Sequence, residues 1–73
     1  MKRLQVEING ERRVLEEQTT LKGMIDYLKL APERLAIELN QKVVRRADWP
    51  NIRLNEGDRI EIVHFVGGGE KQG

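Results

Sequence analysis

The pair Asn9-Gly10 lies between two runs whose pattern leaves little choice of local fold. Before it, Leu4, Val6 and Ile8 alternate with Arg3, Gln5 and Glu7. A period of two puts the apolar residues on one face of a strand. Asn-Gly favours a two-residue type I′ turn, because both central positions need positive φ. Glu11 to Leu15 then returns as a second strand, so the first fifteen or so residues form a β-hairpin.

The period changes after the polar stretch 16–20. Leu21, Met24, Ile25 and Leu28 fall at i, i+3, i+4 and i+7, one apolar stripe of a helix. Thr19 or Thr20 is placed to cap its N-terminus. Gly23 costs such a helix about 1 kcal/mol relative to Ala, so close packing or simple tolerance must account for it. Pro32 stops the helix at or before Ala31. A helix of roughly ten residues is too short to stand alone and must pack on a sheet. Alternation resumes at Leu35, Ile37 and Leu39, a third strand. Asn40-Gln41 turns the chain into a short strand at Lys42-Val43-Val44. Arg45 to Leu54 reads as irregular. Asn55-Glu56-Gly57-Asp58 is a turn with glycine where positive φ is required. Arg59 to Val66 is the last strand, and residues 67–73 form a flexible glycine-rich tail.

With 73 residues the chain is one domain: residues 1–66, plus the tail. Two hairpins flank one helix. The helix serves as a crossover that lets the first and last strands lie parallel at the centre of a mixed sheet. The expected class is α+β, a β-grasp arrangement of four to five strands with one helix across one face.

Composition removes many functions. There is no Cys, so disulfide scaffolds, thiolate metal sites and cysteine nucleophiles are excluded, and the single His cannot build a multi-histidine metal site. No Ser is present for a serine triad. The Gly67–Lys71 run precedes no helix, so it is no phosphate loop. The 13 basic and 12 acidic residues interleave, which argues against nucleic acid. No apolar run spans a membrane, and MKRLQVEING lacks the apolar core of a signal peptide. The expectation is a cytoplasmic protein with no catalytic residues of its own, no metal and no bound cofactor.

What remains is the C-terminus. His64 shares strand parity with Ile60, Ile62 and Val66, so it is expected to be packed or hydrogen-bonded. Val63 and Phe65 have the opposite parity. With the helix on the Ile60 face, they form a docking patch on the open face, or a loop such as that bearing Trp49 covers them. Trp49 itself reads as a core or lid residue. Gly67, Gly68 and Gly69 leave the main chain without a Cβ, and such a segment can thread a narrow channel. Fixing it costs about 1–2 kcal/mol per residue, which a partner must offset.

Residues Leu35 to Trp49 resemble the A-I-N-x-x-V-x-R-x-x-W stretch of the sulfur carrier proteins of thiamine biosynthesis, a ubiquitin-like family. Leu54 to Gly69 is similar to that family's ending, L-x-x-G-D-x-I-E-I-V-x-x-V-G-G-G. The resemblance covers the chain up to Gly69. It implies that the last glycine carboxylate is the functional group. A ubiquitin-activating-type adenylyltransferase spends ATP to adenylate it. A persulfide sulfur donor then displaces AMP to give a thiocarboxylate, and thiazole synthase accepts the sulfur. The carrier is a co-substrate and not an enzyme, and a monomer is expected. Gly67, Gly68 and Gly69 match the family's tail, and Val63 and Phe65 are the inferred docking residues.

This sequence departs from the family by continuing with Glu70-Lys71-Gln72-Gly73. While they remain attached, Gly69 has no free carboxylate. A processing protease cuts after Gly69, or Gly73 serves as the terminus, or carrier activity has been lost. Delivery to molybdopterin or amino-acid biosynthesis and ubiquitin-like modification of lysines share the activation chemistry. A regulatory or nucleic-acid-binding β-grasp module is a further reading, which the near-zero charge disfavours.

Overall fold

A computed structural model describes residues 2–65. Five strands, β1 (Arg3–Ile8), β2 (Glu11–Glu16), β3 (Leu35–Leu39), β4 (Lys42–Val44) and β5 (Arg59–His64), form one sheet in the order β2-β1-β5-β3-β4. β1 and β5 are parallel; the other neighbours are antiparallel. The helix α1 (Leu21–Tyr27) supplies the crossover. Parallel neighbours need such a connection, and a hairpin cannot make one. Among the described residues, no helix is long and apolar enough to cross a membrane.

Both hairpin turns follow from their sequences. Asn9 and Gly10 have φ of 50° and 83°, and Asn40 and Gln41 have 52° and 73°. Positive φ at both central positions matches the right-handed twist of the flanking strands. Gly57 at φ 85° turns the chain into β5.

The alternating residues Leu4, Val6, Ile8, Leu35, Ile37, Ile60 and Ile62 are buried on one face, under Leu21, Met24 and Ile25 of α1. Thr20 caps the helix, its Oγ1 accepting from the Gly23 N–H at 3.0 Å. A Cβ on Gly23 would sit 3.3 Å from that same oxygen, so the glycine packs closely against the cap.

The helix is shorter than the spacing predicts, seven residues in place of roughly ten. It ends at Leu28 because Lys29 turns left-handed at φ 61°. The Leu30 N–H donates to the Ile25 carbonyl at 3.1 Å and the Lys29 N–H to that of Asp26 at 3.0 Å. This is a Schellman motif, which satisfies two of the last carbonyls before Pro32 is reached. Residues 45–54 are also more ordered than expected. A 3-10 helix at Arg46–Asn51 drives Trp49 into the core, and its Nε1–H donates to the Val44 carbonyl at 3.1 Å. Trp49 is therefore a core residue and not a lid.

Candidate functional site

β5 carries the residues that the sequence singles out, and two turn asparagines hold its inner end. The Asn9 side chain accepts from the Ile62 N–H at 2.7 Å and donates to the Ile62 carbonyl at 3.3 Å. On the other side, Asn40 Oδ1 accepts from the Arg59 N–H at 3.0 Å. The Asn40 amide also donates to Asp58 at 3.1 Å, and the Asp58 carboxylate accepts from the Asn55 N–H at 2.8 Å. Each asparagine thus makes its turn and bonds β5. Sequence reasoning found the first role and missed the second. The available signal was the choice of Asn at both turns, a residue that reaches αL and still offers a donor and an acceptor.

From this base the strand presents its outer end. Val63 and Phe65 are 54% and 55% exposed, on the face opposite the helix. No described loop covers them, since Trp49 lies in the core. Cross-strand register puts Ala36 beside Val63 and Glu38 beside Glu61. Val43, opposite Glu38 on β4, is 73% exposed on the same face. Val43 is a further exposed apolar residue of that face, set apart from Val63 by β3, and β4 is too short to show a period that would place it from the sequence. Alongside, Arg59 Nε lies 3.3 Å from Glu7 Oε1. Both partners are solvated, so that pair contributes little.

His64 departs from expectation. Its parity is that of Ile60 and Ile62, yet it is exposed. The cause is register. β1 pairs with β5 as far as Ile8↔Ile60, and the hairpin then turns away. β5 continues past it, so the flank of His64 towards β1 is open. The strand ends at His64, although the Phe65 N–H still donates to the Arg34 carbonyl at 2.9 Å. Val66 and the glycines Gly67, Gly68 and Gly69 lie outside the described residues.

A central parallel pair, one crossover helix and an exposed end of the last strand define a ubiquitin-like β-grasp protein. The sequence pattern of the ThiS family matches residues 3–69. The chain belongs to the ThiS family. It is 32% identical to the sulfur carrier protein ThiS of Thermus thermophilus, over 85% of this chain and 95% of that one. It is 43% identical, over 92% of its length, to part of a protein of Magnetococcus marinus named thiazole synthase. There the chain spans only 21% of the relative's length. The crystal structure of the thiamine biosynthesis protein ThiS from Geobacter metallireducens is similar, with a TM-score of 0.79 and 28% identity. That match covers 90% of this chain and all of the other.

Proposed function

We propose that the chain is a sulfur carrier for the thiazole of thiamine, working through the carboxylate of Gly69 after residues 70–73 are removed. The observation that carries this reading is the family match, which extends through Gly69 and so includes the three glycines. A carboxylate is a poor electrophile. Adenylation by a ubiquitin-activating-type enzyme, with ATP, makes a mixed anhydride and releases pyrophosphate. The outer sulfur of a persulfide attacks the acyl carbon and expels AMP. A thiol then cleaves the sulfur–sulfur bond and leaves a glycyl thiocarboxylate. Thiazole synthase is the acceptor, a partner supported by the Magnetococcus protein, in which a ThiS-like stretch belongs to a polypeptide of that name.

The carrier contributes no catalytic group of its own. Val63 and Phe65, both about half exposed, dock on the adenylating enzyme. A partner that covers them gains from their apolar area, roughly 25 cal/mol per Å² buried. As a carrier the protein works in the cytoplasm, as a monomer passing between transient partners.

Reconstitution tests this. A chain ending at Gly69 is incubated with its adenylating enzyme, ATP and a persulfide donor, and the product mass is read. Exchange of one terminal oxygen for sulfur is expected. Adenylation without sulfur incorporation would redirect the protein to lysine modification, and no activation at all would end the carrier reading.

A further inference from the structure

The outer end of β5 has an unusual main-chain position. On the β3 side, the Phe65 N–H reaches the Arg34 carbonyl at 2.9 Å. On the β1 side, the Ile60 carbonyl accepts from the Asn9 N–H at 2.9 Å, and both main-chain groups of Ile62 are bonded by the Asn9 side chain. Successive residues of a strand turn these groups to opposite sides. The N–H and C=O of His64 therefore face the β1 side, past the last residue that β1 supplies. Among the described residues nothing pairs with them. Asn9 acts as a stopper that completes the ladder at Ile62, and no described residue fills the next rung.

The β2 edge of the sheet is protected in a way this one is not. β2 carries Glu11, Arg12, Arg13 and Glu16 along the outer edge, and charged side chains discourage strand addition. Val63, His64 and Phe65 bring no carboxylate or basic side chain of the Lys or Arg kind. Val63 and Phe65 lie on one face beside the rung at His64, so an added strand would touch them with alternate side chains.

We infer that this edge receives an extended main-chain segment of the adenylating enzyme, added to the sheet in line with β1. The inference rests on the proposed carrier function and names the contact that function leaves unspecified. The edge lies three residues before Gly67, so an enzyme that grips the glycines also faces His64. A pair of main-chain hydrogen bonds there fixes the direction in which the tail leaves the domain.

Two measurements test it, on the full chain and on the form ending at Gly69. In the free protein the His64 amide is expected to exchange rapidly with solvent while that of Ile62 is slow. Adding the adenylating enzyme is expected to protect His64. Protection of His64 in the free chain, or none in the complex, overturns the inference. The second measurement is affinity. His64→Pro removes the outward N–H without touching the bonds to β3, and proline favours the extended conformation that Val63 already has. His64→Pro is expected to bind about tenfold more weakly than His64→Ala. Equal binding of the two, with loss of binding in Val63→Asp and Phe65→Asp, rejects the strand edge and leaves the docking patch standing. Failure of the unaltered carrier to bind rejects the functional reading itself. Self-association of the free chain through His64 assigns the edge to a second copy and also overturns the inference.

Discussion

From Arg59 to Ile62 the last strand is bonded on both sides, whereas Val63, His64 and the following Phe65 are, among the described residues, bonded on one. The inner half has β1 and Asn9 on one flank and β3 and Asn40 on the other. The outer half keeps only β3 and the Arg34 carbonyl among the described residues. The difference separates two jobs within a few residues. One end anchors the strand in the core, and the other leaves the apolar side chains of the proposed docking patch exposed.

Stability measurements should divide at the same place. Ile60 is fully buried, and Ile60→Ala is expected to cost about 2–5 kcal/mol, a large part of what a domain this small possesses. Phe65→Ala should change stability by no more than about 0.5 kcal/mol while weakening binding to the adenylating enzyme. Urea denaturation of both variants checks the pair. Equal destabilisation would mean that the outer half is packed as firmly as the inner.

A smaller effect isolates the stopper. Asn9→Gly keeps positive φ but removes both bonds to Ile62. It is expected to cost about 1 kcal/mol and to speed amide exchange at Ile62 while Ile37 stays protected. Were Ile62 unaffected, β5 would be held by packing alone. The smallest effect concerns charge. Glu7→Gln removes the exposed ion pair with Arg59 and should shift stability by about 0.3 kcal/mol, a shift that vanishes in high salt. A large loss would show that electrostatics, and not the main chain, ties down the inner end.

The anchored half was more legible in the sequence than its supports. Alternation marks β1, β3 and β5, and the turns at Asn9-Gly10 and Asn40-Gln41 imply the returning strands β2 and β4, because these signals are local. Val63 and Phe65 could be placed on the open face by parity alone. Parity places His64 on the packed face, yet it is exposed, because exposure there depends on where β1 stops beside β5, a tertiary register that no local pattern contains. Asn9 was hidden for a different reason: its turn role explains it fully, so nothing called for a second one. The helix does end before Ala31, but it is shorter than the roughly ten residues expected, because the conspicuous stop, Pro32, lies beyond the actual one. The actual stop, Lys29 in a left-handed conformation, has no sequence signature, since glycine is the usual residue there.

The central claim is that the glycine end of this chain carries sulfur. Its most direct test is the intact mass of the untagged protein taken from its own cells. The expected result is a chain ending at Gly69, a fraction of it with one oxygen replaced by sulfur. A population that ends wholly at Gly73 and contains no sulfur, in cells actively making thiamine, would contradict it.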